Sequence, residues 1–121
     1  MLIIFPWPSP KVFPNFKRAH HWRTYRHVEK AEREAGWATT CEHLAAKDRR
    51  AIRDGLDGKL LLSVTFFPPD RVHRDDDGMV GAFKHLRDGM ADALDIDDRH
   101  FRCIYAFGEP QKPGRVEVEL G

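Results

Sequence analysis

Asp75, Asp76 and Asp77 stand side by side before Gly78, and Asp97 and Asp98 form a second acidic pair further on. Carboxylates held at contact distance repel and raise one another's pKa. A fold keeps such a cluster because water solvates it or because a cation neutralises it. The calcium-loop version of the second reading fails on spacing. With Gly78 at the obligatory glycine, His73 takes the first ligand position and Lys84 the last, and an EF-hand needs carboxylates at both. Magnesium fits better, since it is commonly held by one or two carboxylates plus water and substrate phosphate. In an extended loop Asp75 and Asp77 point to the same side, and Asp98, next to Asp97, offers a third carboxylate. Such a site activates water and stabilises charge on a phosphodiester oxygen. Lys84, two helical turns beyond Asp77, is placed to contact a phosphate. The plain alternative stays open: a helix cap with two solvated neighbours, a solvated lysine and an exposed turn.

These residues are positioned by a helix expected over residues 78 to 95, where Met79, Phe83, Leu86, Met90 and Leu94 recur on one face. Ahead of it, residues 2 to 7 read as a short strand, followed by an extended proline-rich loop to about Asn15. Residues 20 to 47 favour a helix through Trp22, Tyr25, Val28, Ala31, Ala35 and Ala38, with Gly36 and Thr39-Thr40 as places for a kink or split. Residues 59 to 67, 101 to 107 and 116 to 120 read as strands. The order β-α-β-α-β-β predicts one α+β domain over residues 1–121, a mixed β-sheet with two main helices packed on it.

At 121 residues the chain suits one modest core. The apolar start is cut by Pro6 and Pro8 with no basic residue before it, so neither a signal peptide nor a membrane span is expected. Cys41 and Cys103 make no paired metal motif and are expected to be free thiols in a cytoplasmic protein. The overall charge of +1 hides a segregation. Residues 1 to 33 carry seven basic and two acidic residues, a net of +5; residues 70 to 98 carry nine Asp against four basic residues, a net of −5. A basic half and an acidic half suit a polyanion gripped at one place and processed at another, although ordinary surface scatter produces similar numbers.

Taken together, several pieces resemble the RusA family of Holliday junction resolvases, endodeoxyribonucleases of phages and prophages. The matching pieces are the opening strand with Phe-Pro-Trp-Pro-Ser-Pro (5 to 10), His21-Trp22-Arg23, Arg-Asp-Asp-Asp-Gly (74 to 78), the helix with Phe83, Lys84, Asp88-Gly89 and Ala93-Leu94, and Ile96-Asp97-Asp98. They span nearly the whole chain, and the pattern Asp-x-Asp, helix, Asp-Asp is fairly specific as a set. The resemblance implies a RusA-like fold and a Mg2+-dependent endonuclease, with Mn2+ as a possible substitute, that resolves four-way DNA junctions by paired nicks. Asp75, Asp77 and Asp98 would be the metal-binding catalytic carboxylates, Lys84 the family's helix lysine and Asp97 the first of its closing Asp pair. Where the family usually has Asn, this chain has Gly78, which removes an amide that would orient an Asp or a metal-bound water.

A straight helix over residues 78 to 95 would separate its ends by roughly 25 Å. Asp77 and Asp98 would then share a metal only if the helix broke at Gly81 or Gly89, or if a second subunit completed the site. A homodimer is the expectation, because a four-way junction has two-fold symmetry. Lys17, Arg18, Arg23, Arg26 and Arg74 are the expected DNA contacts, with Trp22 or Trp7 against sugar or bases unless Trp22 and Tyr25 are core residues of the first helix. His20, His21 and His27 lack the cysteine pair or carboxylate that would complete a zinc site. His43, His73, His85 and His100 read as polar surface or phosphate contacts. No nucleotide cofactor is expected. Two other functions compete: a branched-DNA-binding protein of the same fold with weak or lost cleavage, and a globular protein without nucleic-acid partners.

Overall fold

In a computed structural model covering residues 1–121, alternating apolar residues pair into four strands: β1 (Leu2–Pro6), β2 (Leu60–Phe67), β3 (Phe101–Phe107) and β4 (Arg115–Leu120). Four helices accompany them: α1 (Pro14–Ala19), α2 (Arg26–His43), α3 (Ala46–Asp54) and α4 (Asp76–Leu94). The sheet order is β1-β4-β2-β3. β4 runs antiparallel to both β1 and β2, while β2 and β3 are parallel and joined through α4, so the sheet is mixed. The fold is a single α+β domain, as the element order predicts.

Register sorts the side chains by face. Ile3 and Phe5 of β1 lie opposite Val118 and Val116, which in turn face Val64 and Phe66. All six are fully buried against Met79, Phe83, Leu86, Met90 and Leu94 of α4. Phe83 stacks edge-on against Phe5 and Phe66, with ring centres 5.6 and 5.9 Å away. The apolar stripe of α4 expected from spacing is therefore its core face. Strand residues of the opposite parity, including Ile4, Ser63 and Ile104, lie on the other face of the sheet and are exposed.

The first helical region differs from expectation. It is divided at Leu44, which adopts an extended conformation (φ −123°, ψ 123°) and sends its side chain into the core. Neither Gly36 nor Thr39-Thr40 interrupts α2. Gly36 is instead the point of closest approach to α4. A Cβ there would lie 2.2 Å from the Leu86 carbonyl oxygen, and one on Gly89 would lie 2.0 Å from that of Arg33. Two helix backbones meet so closely only where both side chains are absent. The proline-rich segment is more ordered than an extended loop: a 3-10 turn at Pro10–Val12 leads into α1, which starts at Pro14. The Ser9 backbone N–H donates to Glu32 Oε1 at 2.7 Å, pinning this segment to α2.

Trp22 is not a core residue. It stands in a 3-10 turn at Trp22–Thr24 with 46% of its surface exposed, whereas Tyr25 is half-buried. Nor does α4 break at Gly81 or Gly89; it is one 19-residue helix. No helix is long and apolar enough to cross a membrane.

Candidate functional site

One stripe of α4 carries three of the charged residues in question. Asp77, Lys84 and Asp88 are spaced i, i+7, i+11 and so share a face at 3.6 residues per turn, opposite the buried Phe83, Leu86 and Met90. Acidic residues lie at both ends of the stripe.

At the N-terminal end, Asp75 is the N-cap residue (φ −69°, ψ 144°), and Asp76 and Asp77 form the first turn. Only Asp75 is extended, so the alternation that would have aimed Asp75 and Asp77 to one side does not apply. They lie at the positive dipole end of α4, although Asp75 makes no side-chain hydrogen bond to its unpaired N–H groups. All three are exposed and line an open groove of about 980 Å³ with Asn15, Arg18 and His73. Asp75 Oδ1 lies 3.2 Å from His73 Nε2, and the Arg18 guanidinium donates to Asn15 Oδ1 beside them.

Arg74 serves the loop. Its guanidinium pairs with Asp70 at 2.9 Å, donates to the Val72 carbonyl at 3.1 Å and sits over the Trp7 ring, with 19% of its side chain exposed. The hydrogen bond from Arg74 holds the Asp70 carboxyl below its ordinary range. Gly78 fills the third helical position, where a Cβ would find Phe13 no closer than 3.9 Å, so the space for a side chain exists.

At the C-terminal end, Asp95 closes α4 in the left-handed conformation (φ 55°, ψ 46°), and its N–H bonds back to the helix. That turn folds the chain back beside α4. Asp97 then caps the next turn, Oδ1 accepting the Arg99 N–H at 3.0 Å, and this bond lowers its pKa. Asp98 is exposed. Asp97 and Asp98 line a groove of about 370 Å³ together with Lys84, Asp88, Asp92 and Arg33. Lys84 Nζ pairs with the mostly covered Asp88 at 3.2 Å. Lys84 thus shares a groove with Asp98, on the same stripe as Asp77 and about 10 Å along the helix from it.

Asp75 and Asp77 are not brought together with Asp98. The two grooves have no lining residue in common. No group of three His, Cys, Asp or Glu residues in the chain converges closely enough to hold a metal ion. A magnesium site built from Asp75, Asp77 and Asp98 therefore does not fit one chain by itself.

The expected DNA-contacting cations divide into two sets. Lys17 is engaged within the fold: Nζ pairs with Glu29 at 2.7 Å and lies over the Tyr25 ring. The same carboxylate lies 2.9 Å from His85 Nε2, a half-buried histidine and not the surface residue expected. Burial pushes the His85 imidazole below its ordinary pKa, against the pull of Glu29. Arg23 and Arg26, by contrast, flank the exposed Trp22, each guanidinium carbon 5.4 Å from the ring centre. They border a recess of about 510 Å³ completed by His27 and Lys30, without a carboxylate.

The spacing reading passed over Lys30, Arg33 and Trp37. Arg26, Lys30, Arg33 and Trp37 are i, i+4, i+7 and i+11, one face of α2, and that signal was present in the sequence. Arg33 carries this face to α4, making a two-pronged bond to Asp92 at 2.7 and 2.8 Å that lowers the Asp92 pKa.

No known family model matches the chain. It is similar to a protein of Xylella fastidiosa (strain Temecula1) described only as uncharacterized, with 38% identity over 106 residues covering 82% of this chain. The matched region is 61% of that relative's length, so the chain spans less than two thirds of it.

Proposed function

We propose that this protein is a magnesium-dependent endonuclease that resolves four-way DNA junctions, its active carboxylates assembled between two copies of the chain. The observation that carries the reading is the α4 stripe: exposed Asp77 and Asp98 at either side of Lys84, beside a cationic face of α2. In a two-fold dimer, Asp75 and Asp77 of one copy would meet Asp98 of the other, which resolves the separation found within one chain. Magnesium in such a site would supply charge neutralisation and a water of lowered pKa. The chain's own part is to hold the strand. Arg18 lies beside Asp75–Asp77, and Lys84 presents its ammonium where charge on a phosphate oxygen would need compensation. The cytoplasm is the proposed setting, with DNA and a second copy as partners.

The second reading, a branched-DNA-binding protein with weak or lost cleavage, is favoured by two observations. No three carboxylates converge within the chain to hold a metal, and Gly78 lacks the amide of the resembling family.

Subunit mixing tests both. Asp77→Asn and Asp98→Asn, each alone, are expected to abolish nicking of a synthetic four-way junction in Mg2+ while sparing binding. A shared site predicts that mixing the two variants restores nicking, because a mixed dimer contains one site with all three carboxylates intact. Loss in both variants without restoration would refute the shared site. Junction binding without nicking in the unaltered protein would establish the second reading.

A further inference from the structure

The geometry points to a separate binding track for unpaired nucleotides along α2, with Trp22 as a base-stacking platform and Arg26 and Lys30 as its phosphate contacts. This inference rests on the nucleic-acid reading above and adds to it a preference for single-stranded over paired segments.

Two tryptophans are exposed on one side of the molecule, bordering recesses that share Lys30. Trp22 is 46% and Trp37 51% exposed. Between them Arg26, Lys30 and Arg33 succeed one another on one helix face, so three cations lie in a line bracketed by two aromatic rings. The recess at Trp22 has no carboxylate in its lining; a second recess of about 260 Å³ joins Lys30 and Arg33 to Trp37 but also carries Glu34 and Asp92, so the phosphate contacts are assigned to the Trp22 end. Arg33, tied to Asp92, leads the line to the groove that holds Lys84 and Asp98.

Each part of this arrangement matches one part of an unpaired nucleotide. The ring of Trp22 offers a π-face to a base, and every base has one, so the contact tolerates any sequence. The guanidiniums of Arg23 and Arg26 now lie over that ring. An exposed cation–π contact is weaker than base stacking, so a base displaces one guanidinium, which turns to the adjoining phosphate. Paired bases are stacked on each other and present no free face. The track therefore selects frayed or unpaired nucleotides, such as those at the branch point of a junction. An acidic peptide would satisfy the cations and leave the ring unused.

The test is fluorescence titration of the full chain with oligo-dT, with an abasic oligonucleotide of the same length, with poly-glutamate, and with a four-way junction in parallel. Expected are quenching and binding of oligo-dT, binding to the abasic strand weaker by about 5- to 150-fold, and an equal loss in Trp22→Ala that Trp22→Phe largely restores. Arg26→Ala should reduce the slope of log K against log salt by about 0.7, the loss of one single-strand phosphate contact. Equal affinity for abasic and normal strands, no effect of Trp22→Ala, or poly-glutamate binding as tight as oligo-dT would each overturn the track. If the junction is still bound in those cases, the nucleic-acid reading survives without it; if no DNA is bound, both fail.

Discussion

Replacing Gly89 by alanine should separate α2 from α4 and cost about 3 kcal/mol or more. The added Cβ would sit 2.0 Å from the Arg33 carbonyl oxygen, 2.6 Å from the Trp37 nitrogen and 2.9 Å from the Gly36 Cα. The shortest common C···O approach is about 3.3 Å, so the first contact is roughly 1.3 Å too short. All three atoms belong to backbone, which cannot rotate aside as a side chain would. The helices must part, and the packed side chains around the crossing part with them. Overpacking usually costs 1–3 kcal/mol, and relief that requires a whole helix to move lies at the top of that range or beyond. Against a total stability of about 5–15 kcal/mol, this is a large fraction. Urea denaturation followed by circular dichroism measures it as a fall in midpoint at constant slope. Gly36→Ala should cost a similar amount, and the double variant less than the two together, because helices already parted admit the second methyl group. Gly78→Ala is the control: its Cβ meets nothing closer than 3.9 Å, and better helix propensity should leave stability unchanged or raise it by about 0.5–1 kcal/mol. A Gly89→Ala protein within about 1 kcal/mol of the parent would refute the close crossing as the determinant of helix placement.

His85 predicts a pH dependence. Burial lowers its folded-state pKa below the ordinary 6.5, so below about pH 6.5 the unfolded chain binds a proton that the folded chain resists. Stability should therefore fall as pH drops from 6.5 towards the folded pKa, and His85→Gln should flatten that slope in thermal melts. Stability constant or rising between pH 7.5 and 5.5 would contradict it. Gly78→Asn should be accepted without loss of fold, given the open space, and should raise nicking of a four-way junction; binding assays on the same variant separate improved cleavage from improved affinity.

The strands and α4 were legible in the sequence because their signals are strong: Leu62, Val64 and Phe66 alternate, and Phe83, Leu86, Met90 and Leu94 recur at helical steps. The first helical region was harder to read. Its apolar residues suggest a face through Ala31 and Ala38, yet both are exposed. The covered side of α2 carries Glu29, Glu32, Gly36 and Thr40 instead. These are polar or small, because the crossing is too tight for large side chains and because Glu32 satisfies Ser9 while Glu29 takes Lys17. No glycine or proline announces the division at Leu44. At the candidate site the acidic residues were evident from type and spacing, but their grouping was not. The left-handed turn at Asp95 sets Asp98 beside Lys84, and no glycine marks that turn in the sequence.

The pairing of β1 with β4 has a consequence for how the molecule folds. Leu2 lies opposite Glu119, and Phe5 opposite Val116, so the sheet joins residues from the two extremes of the chain. β2, α4 and β3, by contrast, are contiguous, and their contacts close shorter loops. Loop-closure entropy grows with the length enclosed, and folding rate falls as contacts become less local. The unit β2-α4-β3 is therefore expected to nucleate, with β4 adding to β2 and β1 joining last. In such an order, core substitutions in Phe83 or Val64 would slow folding, whereas Ile3→Ala would act almost wholly by hastening unfolding.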